Sequence, residues 1–207
     1  ANELVCLRQS ITAAESDNPF YRCFEGGMLT LNAFIRKVPD RVVYWGTSGQ
    51  RITDSYHFDA CCMKELLDYS RLLHGKDIRG QLTPPSFEDI KTNIQFHYDT
   101  IRKYASSTGR SIYSFGWLLD IARCIYTLRT GKIISKTAAG EWALQNCLFH
   151  NITALETALE VRKNPQKYLE SAELQALSGK LGNAIQQYAD VLEKELKTTS
   201  FVGVCTF

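Results

Sequence analysis

Apolar residues recur at helical spacing throughout the second half of the chain, but only in short runs in the first. After Ser86 the stripes are Ile90, Ile94, His97, Ile101 and Tyr104, then Leu118, Ile121, Ala122, Ile125 and Leu128, then Ile152, Leu155, Ala158 and Leu159. A last stripe, Leu174, Leu177, Leu181, Ile185, Tyr188, Leu192 and Leu196, predicts one long helix from about Ser171 to Leu196. With a further helix over 136–149, the pattern gives five helices with short connections, an antiparallel bundle. Upstream, Leu4, Leu7 and Ile11 share one side of a helical segment, and Asp17-Asn18-Pro19 marks a turn. The stretches 22–31 and 42–45 read as strands around a Pro39-Asp40 turn. Asp59 caps a helix with Met63, Leu66, Leu67, Ser70 and Leu73 on its inner side, stopped by Gly75. Pro84-Pro85 is a stiff break, so the expected domains are 1–85 and 86–207 and the class is α+β.

The run 118–144, LLDIARCIYTLRTGKIISKTAAGEWAL, carries more than packing requires. Gly131 follows the last periodic residue and suits a left-handed helix stop, and Ser135 offers an N-cap hydroxyl to the next helix. Lys136 then falls in a first turn, where the helix dipole disfavours a cation by up to ~1 kcal/mol. A lysine in that place points to a neighbouring anion. Arg123 stands three residues after Asp120, so an ion pair on a solvated face is the plain alternative. Seven basic residues (Arg102, Lys103, Arg110, Arg123, Arg129, Lys132, Lys136) face a single acid, Asp120, in a chain whose net charge is only +2. A local positive field in a nearly neutral protein favours a confined anion, such as a phosphorylated small molecule, over DNA or RNA.

Composition narrows the classes. At 207 residues and 44% hydrophobic, the chain can bury one good core or two small ones. It has no apolar stretch of membrane-spanning length and no signal-peptide pattern at its start. The seven cysteines include no C-x-x-C pair and read as reduced thiols of a cytoplasmic protein. The four histidines are scattered without metal-ligand spacing. No histidine follows Arg123 along its helix, which argues against an arginine–histidine helical ribonuclease.

The segment 123–136, RCIYTLRTGKIISK, continued by Ala138-Ala-Gly-Glu-Trp-Ala-Leu144, resembles the C-terminal helical region of the streptomycin/spectinomycin-type aminoglycoside adenylyltransferases. Phe24-Glu25 before Met28-Leu-Thr-Leu31 resembles that family's strand with a catalytic glutamate. Asp59 and the helix ending in Leu72-Leu-His-Gly-Lys-Asp77, followed by Leu82-Thr-Pro-Pro85, resemble its inter-domain stretch. The resemblance covers roughly residues 19–162. It implies the remainder of a nucleotidyltransferase α/β domain followed by a helical bundle, and adenylyl transfer from Mg-ATP to a hydroxyl of a small molecule, an activity of antibiotic resistance. It implies Glu25 as general base, and Arg123 and Lys136 at the nucleotide phosphates. Asp59 matches an acid near the nucleotide, with helix capping as the alternative. Trp45 and Trp117 are candidates for stacking on a base or sugar, with core packing as theirs.

The family's Gly-Ser turn and Asp-x-Asp strand, which hold Mg²⁺, have no counterpart before Glu25. Glu15-x-Asp17 runs into Asn18-Pro19, and Gly46-Thr-Ser-Gly49 follows the glutamate strand and lacks the spacing. The expectation is a chain that begins part-way through a longer enzyme; the alternative is a degenerate relative, a non-catalytic nucleotide-binding or protein-interaction module. Where the family places acids to meet a cationic aminocyclitol, residues 106–113 carry no carboxylate and include Arg110. Streptomycin is accordingly expected to be a poor substrate.

Overall fold

Side-chain caps decide where most of the helices begin. In the computed structural model, residues 1–15, 26–46, 49–54, 58–105, 112–168 and 171–199 are described. The chain divides into two compact units, Ala1–Pro84 and Pro85–Phe207.

The first unit contains α1 (Asn2–Ala14), β1 (Gly26–Met28), α2 (Leu31–Arg36), β2 (Val42–Gly46), β3 (Gly49–Thr53) and α3 (Ala60–Tyr69). The three strands form an antiparallel sheet in the order β1-β2-β3, with Gly26 opposite Trp45 and Tyr44 opposite Arg51. On the central strand Val42, Val43 and Trp45 are buried. Arg8 of α1 donates to Gln50 Oε1 (2.8 Å) and lies over the Trp45 ring.

This unit departs from the sequence reading in five places. The strand expected over 22–31 is limited to Gly26–Met28 among the described residues, because the Thr30 hydroxyl accepts from the Ala33 amide and starts α2. Asp40 ties off the far end of that excursion, accepting from the Thr30 amide at 2.7 Å; this bond holds its carboxyl below the usual range. The connection at Pro39-Asp40 therefore joins a helix to a strand. A third strand, β3, follows a hairpin in which Gly46 pairs with Gly49, whose φ of +88° suits glycine alone. Gly46 and Gly49 of that motif thus face each other across two antiparallel strands. The helix after Asp59 ends at Tyr69, and Leu73 is 94% exposed instead of lying on an inner stripe. Arg79, braced on Asp77, donates to the Ser70 carbonyl and fastens that helix end. The predicted stripe of α1 is likewise open, with Leu7 and Ile11 exposed.

The second unit is helical: α4 (Phe87–Tyr104), α5 (Gly116–Thr130), α6 (Lys136–Gln145), α7 (Ile152–Lys163), α8 (Pro165–Tyr168), α9 (Ala172–Ser178) and α10 (Gly182–Thr198). Ser86 and Asp89 form a reciprocal capping box at α4, and Asn151 caps α7. Between them α5 is the core element. Leu118, Leu119, Ile121, Ala122, Cys124, Ile125 and Leu128 are all buried, because α4, α6, α7 and α10 pack around it. The single long C-terminal helix expected from 171 is two helices. Gly179 and Gly182 flank the break, and each costs about 1 kcal/mol against alanine in a helix interior. Ser178 is buried there and donates to the Gln175 carbonyl.

One glycine sets how closely α6 approaches its neighbours. A methyl group on Gly140 would lie 2.7 Å from Leu119 Cδ2 and 2.9 Å from Leu159 Cδ2, both in buried side chains. Gly140→Ala is expected to destabilise the fold by about 1–3 kcal/mol through overpacking, despite the gain in helix propensity. A thermal melt no lower than wild type would show that the two leucines yield without cost.

Candidate functional site

The hinge between α5 and α6 carries the charges that packing does not explain. Gly131, in the left-handed conformation, closes α5 with its amide on the Thr127 carbonyl (2.8 Å). Four residues later the Ser135 hydroxyl accepts from the Ala138 amide (3.1 Å) and opens α6, which places Lys136 first in that helix. Both signals act as their residue types predict.

Asp120 lies on α5 between apolar neighbours and is only 8% exposed. Its two oxygens are divided between two cations. Arg123 Nη2 donates to Oδ1 at 3.1 Å, and Lys136 Nζ donates to Oδ2 at 2.8 Å. The i,i+3 pair is therefore present, but on a buried carboxylate shared with the next helix, not on a solvated face. The anion called for by a lysine in a first turn is, in this structure, Asp120 itself. Arg123 and Lys136 side chains remain 30% and 28% exposed, against 11% for that of Asp120.

The other basic residues of this stretch do not add up to one field. Arg102 is engaged by Asp190 and Glu193 of α10, and Arg129 by Glu195. Lys103 lies over the Tyr104 ring, and Arg110 is outside the described residues. Tertiary packing thus brings the acids of α10 against a segment that is strongly basic on paper. Lys132 is exposed, and Arg123 and Lys136 share the carboxylate of Asp120.

The remaining candidates are dispersed. Trp117, half-buried on α5, stacks on His97 of α4 with ring centroids 5.8 Å apart. Trp45 is 3% exposed in the first unit, where it serves the core, and Asp59 caps α3 by accepting from the Cys62 amide at 2.8 Å. Glu25 lies outside the described residues. The structure therefore unites Arg123 and Lys136 and adds Asp120, which sequence reasoning treated only as a helix-surface partner. The available signal was an acid embedded in the apolar run Leu118-Leu-Asp-Ile-Ala122. Burial and the nearby Asp59 push the Cys62 thiol up to about 12, too high for a nucleophile. The apolar cavity beside α2 holds about 50 Å³, far too little for a nucleotide.

Fold and cluster together define an α+β protein whose helical domain presents two cations on a common buried carboxylate. The chain belongs to the aminoglycoside adenylyltransferase family: the model of that family's C-terminal domain matches residues 90–194, more than half of the sequence. The match contains Trp117, Asp120, Arg123 and Lys136, and ends short of Glu25, Trp45 and Asp59. No curated protein and no solved structure matches the chain. Among the described residues no helix is long and apolar enough to cross a membrane.

Proposed function

We propose that the chain binds the phosphate tail of ATP at Arg123 and Lys136 and belongs to a protein that passes the adenylyl group to a hydroxyl of a small, aminoglycoside-type acceptor. The observation that carries this reading is the convergence of the two cations, one from α5 and one from α6, on a single carboxylate. Groups that meet on one carboxylate are spaced to meet on one phosphate, and a guanidinium suits phosphate oxygens especially well. Family membership supports the reaction class and the kind of acceptor.

In such a transfer the acceptor oxygen bonds to the α-phosphorus while the bond to the bridging oxygen breaks. Pyrophosphate then leaves with the electron pair. Arg123 and Lys136 favour this by neutralising charge that grows on the leaving group. The acceptor proton goes to a base, for which the resemblance offers Glu25. The resemblance also implies Mg²⁺. Among the described residues, however, no three His, Cys, Asp or Glu side chains gather as an ion site, so no ligand and no step is assigned to the metal.

Calorimetric titration of the full chain with ATP, with and without Mg²⁺, tests the reading. Wild type is expected to bind and Arg123→Ala to bind at least about tenfold more weakly, a loss of ~1.4 kcal/mol. Equal affinities would refute the assignment. Binding without any turnover would favour the non-catalytic nucleotide-binding alternative.

A further inference from the structure

We infer that Asp120 is a positioning residue for the bound anion: its carboxylate anchors Arg123 and Lys136 from beneath, and a phosphate binds above them with Asp120 still in contact. The inference rests on the phosphate reading of the two cations and adds a residue to it. Asp120 is buried among Leu118, Leu119, Ile121 and Ala122, each at most 1% exposed, whereas its two partners reach solvent. The carboxylate is therefore the shielded member of the cluster and the cations are its more exposed members.

Two physical arguments exclude the opposite arrangement, in which phosphate evicts Asp120. Pulling both cations away would strand a buried carboxylate, a cost comparable to a large part of the free energy of an ordinary micromolar complex. A ligand that shares the cations avoids that cost. Second, lysine and arginine are among the side chains with most rotamer freedom to lose. Holding them before the ligand arrives transfers the ordering cost from binding to folding. Lys136 gains most, because its own helix dipole works against it and only a contact from outside α6 fixes it.

Asp120→Asn gives this account a sign. The exchange raises the charge of the cluster by one, so electrostatics alone predicts tighter binding of a polyanion. Loss of the anchor predicts weaker binding. The probe is inorganic tripolyphosphate, titrated calorimetrically into the full chain at one low ionic strength. The expected result is affinity about tenfold lower than wild type, a loss of ~1.4 kcal/mol, in a variant whose far-UV circular dichroism is unchanged. Unchanged or tighter binding overturns the inference, and a lowered melting temperature with wild-type affinity reduces Asp120 to a structural residue.

If Asp120→Asn does not fold, Asp120→Glu carries the test. It keeps the charge but moves the carboxylate by one methylene, so weaker binding supports the anchor and wild-type affinity overturns it. Arg123→Ala in the same series separates the two levels of the argument. Should Arg123→Ala abolish binding while Asp120→Asn preserves it, the anchor fails and the phosphate reading stands. Should wild type not bind tripolyphosphate, or Arg123→Ala bind it equally well, both fail.

Discussion

The double variant Arg123→Ala/Lys136→Ala is expected to lose about 3–5 kcal/mol of stability, and adding Asp120→Asn is expected to return most of it. Asp120 has an 11% exposed side chain, and both cations donate hydrogen bonds to its carboxylate. Removing both leaves a charge in an apolar setting without compensation, which costs several kcal/mol where the pair itself stabilises little. Either single variant is expected to cost less, because one cation remains on one oxygen. Neutralising the stranded group removes the penalty, so the triple variant should be more stable than the double. That inversion, a third substitution that repairs the first two, is the diagnostic. Urea denaturation followed by far-UV circular dichroism measures it, with unchanged slopes certifying that the unfolded states are comparable. A double variant as stable as wild type, or a triple variant no better than the double, would mean that Asp120 is hydrated and not truly buried.

Tyr188→Ala is expected to be as damaging, at about 3–5 kcal/mol. Tyr188 is 2% exposed on α10, its ring is stacked on Phe149, and its hydroxyl donates to the carbonyl of Asn151. Asn151 is also the residue that caps α7, so one side chain joins the last helix to the start of another. Tyr188→Phe separates the contributions, since it keeps the ring and gives up the hydrogen bond at a cost of about 1–2 kcal/mol. Alkaline pH provides an independent reading. Burial pushes the phenol from 10.0 up to about 12, so between those values the unfolded chain has lost a proton that the folded chain keeps. Stability contributed by the protonated phenol is complete below about pH 10 and declines as pH rises toward about 12. Tyr188→Phe should lack this particular decline. A variant that shows the same alkaline slope as wild type would assign the effect to other groups.

What could be read from the chain was what is decided locally. Ser86, Ser135, Asn151 and Asp59 cap helices because a short oxygen-bearing side chain reaches amides two or three residues ahead, and Gly131 ends one because it tolerates a positive φ. None of these needs the rest of the molecule. The errors lie where partners are distant or signals short. The six residues of α2 are too few for a period to show, and the cap that starts them, the Thr30 hydroxyl, went unread. Gly-Gln-Arg-Ile-Thr has no apolar alternation, and becomes β3 through pairing with β2. The C-terminal stripe is buried from Leu181 to Leu196, but before residues 179–181 Leu177 is exposed and Ser178 is buried instead, a change that periodicity alone does not show.

The site divides in the same way. Arg123 and Lys136 stood out from spacing, charge and resemblance. Their convergence depends on how α5 and α6 pack, and that packing depends on the missing side chain at Gly140. Asp120 was visible as a lone acid and as a neighbour of Arg123, but its link to Lys136 spans two helices. The apparent wealth of positive charge misled for a related reason: Asp190, Glu193 and Glu195 come from the far end of the sequence to meet Arg102 and Arg129.

The shielding of Asp120 also governs how the helical unit responds to electrolyte. At physiological ionic strength the screening length is about 8 Å for exposed charges, whereas a pair with one partner buried is screened less. Lys167 and Glu160, 3.6 Å apart and 64% and 49% exposed, form a clasp that brine loosens readily. The α5–α6 buckle is fastened from inside, and concentrated salt will slacken the rim of this unit long before it opens that hairpin.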